Sequence, residues 1–514
     1  MSTFFTKDIN FSIIVPLYNT PPQFLREMID SVSNQSYRNW ELCLADGSDS
    51  EHLDVREICG KFAKNDSRIL YKKLEKNNGI SENTNECIKM ATGEYLVMLD
   101  HDDVLHKEAL QEVFNVIQGE NADFIYTDET KFTNDINKSF SPNYKPDFAP
   151  DELNAHNYIC HLTVYKKSLL EKTGLYSTAH NGSQDHDMVL RLSEHAQHIV
   201  HIPKVLYYWR VHSGSVASNV AVKSYAVDAG HLAVCDHIKR LGLNGEVTSI
   251  APFPSLYKID YEISHPTVNI IIYDTENVDD TNKCIFSLDY HQNWRGVKIT
   301  VIANSENESK MRKMLWSAPT VWPFELVLTG NNQIDTINEI VKKQDEEYCL
   351  FVSAKTFVDT DDYVSEFLKY AQRNDVGIVG GKVSKKDGHI IDFGCALLED
   401  GTVKVLLKNY TRFEDGYEAI LRHPRNTTAI LGNICMMSKR SFIEAGCFSK
   451  EDDMQNAFVK LCIDLRKQSK VNVVLPFVDC TYNADAYALL LRKQEKTDKH
   501  DPYYNPNIEK LQIF

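Results

Sequence analysis

The sequence predicts an α/β protein in which a mostly parallel sheet with flanking helices is present twice. Short apolar runs that suit buried strands alternate with segments of helical periodicity. Polar clusters follow several of these runs directly, and the second half of the chain repeats the pattern of the first. Strands that alternate with helices form a parallel sheet, and such sheets bind ligands at the carboxyl ends of their strands.

The composition is that of a globular protein with more than one domain. The chain has 514 residues, of which 43% are hydrophobic and 25% are charged, and its formal net charge is -16. This charge argues against a nucleic-acid partner, which would need a basic face. No apolar run approaches the ~18 residues of a membrane span, and the first residues lack an apolar signal-peptide core. The 12 cysteines show no CxxC spacing, so we expect reduced cysteines in a cytoplasmic protein.

The first half of the chain alternates strands with helices. Residues 11–15 and 40–45 are apolar runs that suit buried strands. A third strand starts at Arg68, and Ser81 can cap the helix that follows it. Residues 94–99 form the fourth strand, which we expect at the centre of the sheet.

Polar residues follow three of these strands, at 16–19, 46–50 and 100–103. Because the carboxyl ends of parallel strands meet at one edge of a sheet, we expect these residues to converge on one crevice. The first strand is followed by neither GxGxxG nor GxxxxGK[ST]. A diphosphate bound here must therefore be neutralised by a metal ion and side chains instead of a glycine-rich loop.

The acidic stretch Asp100-His101-Asp102-Asp103 is the strongest chemical signal in the chain. Three carboxylates at the end of a buried strand repel one another and are costly to desolvate unless a cation is bound. A divalent ion that also binds a substrate diphosphate would relieve this cost. Alternation along an extended segment places Asp100 and Asp102 on the same side. The alternative is an acidic loop that caps the helix beginning near His106.

These motifs resemble those of the family 2 inverting glycosyltransferases, which have the GT-A fold. The resemblance covers roughly residues 10 to 220 and extends to further segments at 126–129, 145–151, 156–161, 183–187 and 208–212. These segments are similar to those of bacterial enzymes that build capsule, O-antigen or rhamnose-containing polysaccharides.

The resemblance implies an enzyme that uses Mn²⁺ or Mg²⁺. It would transfer a hexosyl or rhamnosyl unit from a UDP- or dTDP-sugar to a hydroxyl group of a saccharide or lipid-linked saccharide acceptor. An acceptor on a lipid diphosphate would place the protein peripherally at the inner face of the cell membrane.

For the nucleotide, the resemblance implies that Asp46 bonds the base and that Pro16, Tyr18 and Asn19 flank it, with Tyr18 able to stack on it. The alternative for Asp46 is an Asx turn with the following glycine, and both roles can hold together. Two further assignments to the nucleotide site remain open. Arg68 contacts the base or ribose, or is a surface residue. Asn83 faces the site from a helix, or is solvated.

For the diphosphate and metal, the resemblance implies that Asp100 points toward the ribose or the metal and that Asp102 binds the metal directly. His101, between them, belongs to the nucleotide-sugar site. Arg210 could clamp the diphosphate. His212 could complete the metal shell, or it could be structural.

The resemblance identifies Asp185 as the catalytic base, which would deprotonate the acceptor hydroxyl as its oxygen attacks the anomeric carbon. Attack from the face opposite the diphosphate inverts configuration in one step, so no second carboxylate nucleophile is needed. The alternative is that Asp185 or Asp187 caps a helix. We favour the base for Asp185 and a capping or supporting role for Asp187.

The second half of the chain is a duplication of the first. It implies a catalytic domain at 1–225, a helical linker at 226–264, a second GT-A-like domain at 265–490 and a C-terminal tail at 491–514. In the sequence register, the acidic positions are replaced: Asp46 becomes Asn304, Asp100 becomes Ser353, Asp102 becomes Lys355, and Asp185 falls near Phe458.

A lysine at the metal position repels a cation, so the second domain is predicted to be non-catalytic. The alternative is metal-independent transfer with Lys355 as the cation. For the whole chain, two other readings compete with the transferase. A sugar-nucleotide pyrophosphorylase would need a glycine-rich basic loop after the first strand, which this chain lacks. A pseudoenzyme or assembly scaffold that binds sugars or partner transferases would not need the acidic residues that the first half retains.

Overall fold

The structure is a computed structural model that describes residues 8–212, 224–291, 294–317, 322–330, 332–450, 452–483, 487, 489–496 and 500–511. The chain divides into two units. Unit 1 contains Met1–Phe148, His156–Leu243 and Ala251–Tyr257, and unit 2 contains Ala149–Ala155, Asn244–Ile250 and Lys258–Phe514. Within the described ranges, no helix combines the length and apolar character that crossing a membrane requires.

The described residues of the first half of the chain form nine strands. They are β1 (Phe11–Leu17), β2 (Trp40–Asp46), β3 (Ile69–Lys73), β4 (Tyr95–Met98), β5 (Val104–Leu105), β6 (Phe124–Phe132), β7 (Phe140–Asn143), β8 (Thr163–Lys166) and β9 (Ile199–Arg210). The helices up to residue 240 are α1 (Pro22–Ser33), α2 (Leu53–Asn65), α3 (Ile80–Met90), α4 (Ala109–Glu120), α5 (Pro150–Ala155), α6 (Leu170–Thr173), α7 (Gln184–His195) and α8 (Ser224–Arg240).

The sheet of unit 1 has the order β3-β2-β1-β4-β8-β6-β9-β5, and β7 pairs with β6. The first four strands of this order are parallel, and β8 runs antiparallel to both of its neighbours. The core beneath this sheet contains buried residues of β1 and β2 and the apolar face of α1, including Leu25, Met28, Ile29 and Val32. The register Leu17↔Asp46 brings the carboxyl ends of β1 and β2 to the same edge, where the site was expected.

The segment predicted as a helical linker is only partly helical. It contains most of α8, and then β10 (Gly245–Ile250) and β11 (Phe253–Tyr261), which form a two-stranded sheet. In β11 the side chains of Tyr257, Ile259 and Tyr261 are buried alternately with less buried ones. This period of two is a strand signal that outweighed the polar composition of the segment.

Unit 2 repeats the topology. Its strands are β12 (Val268–Tyr273), β13 (Val297–Asn304), β14 (Phe324–Thr329), β15 (Tyr348–Ser353), β16 (Thr356–Val358), β17 (Val376–Lys385), β18 (Ile390–Asp392), β19 (Cys395–Leu397), β20 (Val403–Val405), β21 (Arg425–Thr427), β22 (Ile434–Ser438) and β23 (Val471–Tyr482). Its helices beyond residue 270 are α9 (Val278–Tyr290), α10 (Glu308–Ser317), α11 (Gln333–Lys343), α12 (Tyr363–Ala371), α13 (Lys439–Glu444) and α14 (Met454–Lys467).

The order of the second large sheet is β14-β13-β12-β15-β22-β17-β23-β16, which matches the first sheet strand for strand. The β18 strand pairs with β17, as β7 does with β6. The additional strands β19, β20 and β21 have no counterpart among the described residues of unit 1. The prediction of one mostly parallel α/β fold present twice is therefore confirmed.

The C-terminal segment packs on the rest of unit 2 through hydrogen bonds and a buried side chain. The Asn456 side chain donates to the Leu490 carbonyl at 3.0 Å and accepts from the Arg492 amide at 2.8 Å. Further along, the Asp501 carboxylate accepts from the Leu397 amide at 2.7 Å, and Ile508 is buried. Residues 497–499 and 512–514 of the predicted tail lie outside the described ranges.

Candidate active site

A buried carboxylate, Asp103, anchors the acidic turn that follows β4. It accepts hydrogen bonds from the Tyr207 hydroxyl and the Arg210 amide, both at 2.6 Å. The Tyr207 oxygen in turn accepts from the Asp100 amide at 3.2 Å. Burial, followed by the charges of Asp102 and Asp100, raises the pKa of Asp103 well above its ordinary value. Asp103 is therefore a structural residue that fixes the turn, and the residues before it face the crevice.

Arg210 does not face the crevice, so its prediction as a diphosphate clamp is wrong. The side chain is fully buried. Its guanidinium lies over two phenylalanine rings and donates to the Asp102 carbonyl at 2.6 Å, to the Thr133 carbonyl at 3.1 Å and to the Glu27 carboxylate at 2.5 Å. Buried charged groups need such partners. Arg210 supports the acidic turn from behind.

Asp102 and His212 lie together, as predicted for metal ligands. Asp102 Oδ2 is 2.9 Å from His212 Nε2, and both side chains are partly exposed. A carboxylate oxygen and an imidazole nitrogen form a donor pair that suits Mn²⁺, and carboxylate oxygen also suits Mg²⁺. The pair fits a divalent cation, which would replace their mutual contact.

The half-exposed Asp100 carboxylate faces His161, a residue to which sequence reasoning gave no role. His161 Nε2 is 3.4 Å from Asp100 Oδ2, and its Nδ1 is 3.1 Å from Glu129 Oε2. Lys145 is fully buried and donates to the same Glu129 oxygen at 3.2 Å. Although burial raises the pKa of Glu129, the charge of Lys145 and the contacts of His161 lower it to about 2. Acidic residues in the middle of a strand that begins with an apolar run, as in β6, are a sequence signal for such a buried partner.

Asp185 is the second residue of α7 and lines the same cavity as Asp100 and His161. The Gln184 side chain donates to Asp185 Oδ2 at 2.9 Å. Burial and then the charge of Asp100 raise the pKa of Asp185 to about 6, against the opposing effect of His161. This cavity measures about 30 Å³. Asp187, in contrast, is buried and paired with Arg191 at 2.6 Å, which agrees with a supporting role.

Asp46 ends β2 as a buried carboxylate with both oxygens occupied. Oδ1 accepts from the Ser48 amide at 2.8 Å, which is the Asx turn that the sequence left open. Oδ2 accepts from the Tyr71 hydroxyl at 2.8 Å and lies 3.7 Å from Lys73 Nζ. The structure thus fixes the orientation of Asp46, and a bond to the nucleotide base stays a prediction.

The loop after β1 lies beside this carboxylate. Asn19 has a φ of 50° and its amide donates to Ser48 Oγ at 2.8 Å. Tyr18 is 46% exposed, so its ring is available for stacking. Pro16 lines the cavity that holds Asp185, and His101 Nδ1 is 3.1 Å from Thr20 Oγ1. The fold brings Pro16, Tyr18, Asn19 and His101 to the expected edge.

Asn83 is buried on α3, so the solvated alternative is wrong. Its amide nitrogen donates to Asn77 Oδ1 at 2.9 Å and its oxygen accepts from the Asn78 amide at 3.4 Å. A Cβ atom at Gly47 would lie 2.8 Å from Asn83 Nδ2. Asn83 therefore holds the turn before α3 against the loop after β2.

Arg68 lies at the wrong edge of the sheet to contact a nucleotide. It precedes β3, and its carbonyl accepts from the amide of Leu42 near the start of β2. Its guanidinium donates to Asp66 at 2.7 Å and lies 3.7 Å above the Trp40 ring. Because β3 runs parallel to β2, the start of β3 is at the edge opposite the crevice. The surface alternative for Arg68 is the correct one.

The corresponding edge of unit 2 lacks the acidic positions. Strand pairing aligns Tyr348 with Tyr95, so Ser353 and Lys355 correspond to Asp100 and Asp102, as in the sequence register. Two positions differ from that register by a small shift. By strand pairing, the residue of unit 2 at the position of Asp46 is Ala303 and not Asn304. Helix α14 begins at Met454, so the residue at the position of Asp185, the second residue of its helix, is Gln455 and not Phe458.

A tyrosine from the C-terminal segment occupies this edge of unit 2. Strand pairing aligns Asn433 with His161, and Gln455 corresponds to Asp185. The Tyr487 hydroxyl accepts from Asn433 Nδ2 at 2.8 Å and from Gln455 Nε2 at 3.3 Å. Tyr487 thus contacts the unit 2 residues at the positions of His161 and Asp185, which line the cavity of unit 1.

Comparisons with known proteins match both halves of the chain. Residues 12–174 match the family model described as Glycosyl transferase family 2. An uncharacterized protein, y4gI, of Sinorhizobium fredii is 30% identical and covers 97% of this chain and 57% of its own length. The O-antigen biosynthesis protein RfbC of Myxococcus xanthus is 28% identical and covers 97% of this chain and 40% of its own.

The chain therefore spans about half the length of these two relatives. Among solved structures, TarS of S. aureus is 19% identical and covers 45% of this chain and 40% of its own, with a TM-score of 0.36.

Proposed function

We propose that this chain, whose residues 12–174 match the family model described as Glycosyl transferase family 2, is a metal-dependent inverting glycosyltransferase. Its donor would be a nucleotide-diphosphate sugar, with UDP- and dTDP-sugars as the first candidates. Its acceptor would be a hydroxyl group of a growing cell-surface polysaccharide or lipid-linked oligosaccharide. The resemblance to a protein of O-antigen biosynthesis supports this acceptor class.

The placement of Asp185 in the same cavity as Asp100 carries the proposal. Asp185 comes from the start of α7, whereas Asp100 follows β4, so the fold joins two distant parts of the chain. Asp102 and His212 form the adjacent pair that fits a cation. A base opposite a diphosphate site is the arrangement that a one-step inverting transfer requires.

Asp185 would accept the proton of the acceptor hydroxyl as that oxygen attacks the anomeric carbon. The bond from the anomeric carbon to the diphosphate oxygen breaks in the same step, and its electron pair leaves with the nucleoside diphosphate. A base must be ionised to act, and burial and Asp100 raise the pKa of Asp185 to about 6. We therefore expect the rate to fall as the pH falls through about 6.

Asp102 and His212 are the residues that would hold Mn²⁺ or Mg²⁺. When bound, such an ion would neutralise charge on the diphosphate of the donor and leaving group. Around it, the buried Asp103 and Arg210 hold the turn in place, so the carboxylate of Asp102 is oriented before a ligand arrives.

For unit 2 we propose a non-catalytic role. Lys355 takes the place of Asp102, and its Nζ lies 4.0 Å from a Glu276 oxygen. The position of the base carries Gln455, whose amide cannot accept a proton from a hydroxyl at neutral pH. Tyr487 contacts both Gln455 and Asn433, which opposes binding of a sugar there. These features would suit a structural or scaffold role for unit 2, which is the alternative function for the whole chain.

A nucleotide-release assay tests the proposal. The wild-type chain would be offered UDP- and dTDP-sugars with Mn²⁺, beside Asp102→Ala, Asp185→Asn and, as a matched control in unit 2, Lys355→Ala. We expect release from one donor, lost in the first two variants and retained in the third. Release that survives Asp102→Ala but disappears in Lys355→Ala would assign transfer to unit 2. If the wild type neither releases nor binds a nucleotide, the scaffold alternative is favoured.

A further inference from the structure

A chain of alternating charged side chains runs from the interior of unit 1 to the cavity wall. Lys145 donates to Glu129 Oε2 at 3.2 Å, and that oxygen lies 3.1 Å from His161 Nδ1. The other ring nitrogen of His161 lies 3.4 Å from Asp100 Oδ2. The order is therefore cation, anion, imidazole, anion, and only the last side chain is substantially exposed.

Packing leaves the imidazole ring of His161 little freedom. It stacks on the Tyr207 ring with centroids 4.5 Å apart and an interplanar angle of 9°. The Trp209 ring lies 5.4 Å from it on a tilted plane. Glu129 Oε2 also accepts from the His161 backbone amide at 3.2 Å. The ring plane is thus held by Tyr207, Trp209 and Glu129, while Nε2 faces the cavity-lining residues Asp100 and Cys160.

Lys145 fixes the start of this chain as well. Besides Glu129, its ammonium group donates to the Ile159 carbonyl at 2.7 Å and to the carbonyl of His161. A buried ammonium with three oxygen partners is well satisfied. One buried cation therefore holds both the carboxylate behind His161 and the backbone that carries His161.

The cavity contains two carboxylates, Asp100 and Asp185, which repel each other. Among the described residues that line it, His161 is the only one with a basic side chain. His161 Nε2 lies 3.4 Å from Asp100 Oδ2, so its contact offsets the repulsion between the two carboxylates. A fixed imidazole at this place gives the Asp100 carboxylate a defined contact in the cavity wall.

We propose that Lys145, Glu129 and His161 are positioning residues that hold the Asp100 carboxylate in the orientation in which it binds the donor. The proposal rests on the proposed function, because it concerns the donor of that same site. This arrangement resembles a carboxylate that orients a metal-binding histidine, in which the carboxylate fixes the ring and the ring fixes the functional atom. Positioning of this kind affects donor binding more than the chemical step.

The test compares Glu129→Gln and His161→Gln with Glu41→Gln in the nucleotide-release assay. Glu41 is a matched control because its carboxylate also accepts several hydrogen bonds, from Ser12, Thr92 and Gly93, but at the opposite edge of the sheet. Thermal unfolding is measured for all three. Binding of UDP with Mn²⁺ is measured by calorimetry.

We expect the donor KM to rise about 10–100-fold in Glu129→Gln and His161→Gln with a much smaller change in kcat. Glu41→Gln should lower the unfolding temperature without changing KM. A Glu129→Asp variant, which retains the charge, should recover part of the donor affinity. If KM is unchanged in both site variants, or changes only in proportion to lost stability as in Glu41→Gln, the proposal is overturned.

The two proposals fail differently. A wild type that binds no nucleotide overturns the proposed function and this inference with it. A wild type that releases nucleotide, with site variants of unchanged KM, overturns the inference alone.

Discussion

At the scale of single residues, the site of unit 1 separates carboxylates that hold the structure from carboxylates that face the cavity. Asp103 is buried and saturated by the Tyr207 hydroxyl and the Arg210 amide. Asp185 faces the cavity with one described hydrogen bond, from Gln184. The free-energy cost of keeping the Asp185 carboxylate partly buried raises its pKa, and this cost can be measured as a change in stability with pH.

Replacing Asp185 by asparagine should reduce transfer about 10²–10⁴-fold, because the base is lost. The same change should stabilise the fold at neutral pH. Burial and Asp100 raise the pKa of Asp185 from 3.8 to about 6, so its ionised form is disfavoured in the folded state. The folded-state pKa lies above the unfolded one, so the penalty is fully present above pH 6 and disappears below pH 4.

Thermal unfolding at pH 7.5 and pH 4 checks the sign of this effect on the stability of the fold. Asp185→Asn should be more stable than wild type by up to about 3 kcal/mol at the higher pH and nearly equal at the lower one. Equal stability at both pH values would show that the carboxylate is not strained, and would argue against its role as a tuned base.

Replacing Tyr207 by phenylalanine should destabilise unit 1 and weaken donor binding together. The change leaves one oxygen of the buried Asp103 and the amide of Asp100 without the hydroxyl that they share. An unsatisfied buried group costs about 1–3 kcal/mol. Denaturant unfolding and calorimetry with UDP and Mn²⁺ would measure the two effects. Tyr208→Phe, one residue further on the same strand, is the control, and an equal loss in both variants would contradict this role.

At the scale of elements, the position of each residue relative to the end of its strand decides whether it reaches the site. Asp46 ends β2 and Asp100 closely follows β4, so both lie at the carboxyl edge. Arg68 immediately precedes β3 and therefore lies at the amino edge, although β3 is the neighbour of β2, the strand that ends in Asp46. The sequence placed Arg68 at the start of its strand and left a nucleotide contact open, and the parallel pairing of β3 with β2 puts that start at the edge away from the crevice.

The aromatic packing of α14 offers a prediction for unit 2. Gly432 has a φ of +84°, and a Cβ atom there would lie 2.0 Å from the ring of the buried Phe458. Gly432→Ala should destabilise unit 2 by about 2–4 kcal/mol, because the ring must move and the backbone is strained. Gly446→Ala is a matched control, since Gly446 has a φ of +95° but open space around its Cβ position.

Denaturant unfolding of both variants would separate the cost of moving the ring from the cost of the backbone strain. Nucleotide release would be measured under conditions in which both variants are folded. The control should lose only the smaller backbone part. Both variants should retain release under folding conditions, because the proposed site lies in unit 1. Loss of release in Gly432→Ala while the fold is intact would instead indicate that unit 2 takes part in transfer.

At the scale of the whole molecule, one fold occurs twice and carries the proposed chemistry once. The two large sheets share their strand order, yet only the first has carboxylates at the positions of Asp100 and Asp102. In unit 2 the polar pair Asn433 and Gln455 binds the hydroxyl of Tyr487 instead. Duplication followed by occupation of the second site from within the chain would leave unit 2 free to serve as a scaffold.

The sequence by itself determined the fold, its duplication and most of the residues at the crevice edge. Apolar runs followed by Asp46 and Asp100 were sufficient for this, because a strand's period and its end are local properties. The same local signals could not show that Arg210 is buried behind the turn, or that the segment after α8 forms a hairpin of strands.

Only the tertiary structure decided which charges face the cavity. Glu129, Lys145 and His161 lie on different segments of the chain, and their contacts depend on how β6, β8 and the loops between them pack. Arginine is a residue type that commonly binds phosphate, but the guanidinium of Arg210 already donates hydrogen bonds to three oxygen atoms from separate parts of the chain. A residue's type fixes what it can bind, whereas its burial and its partners, which are long-range properties, fix what it does bind.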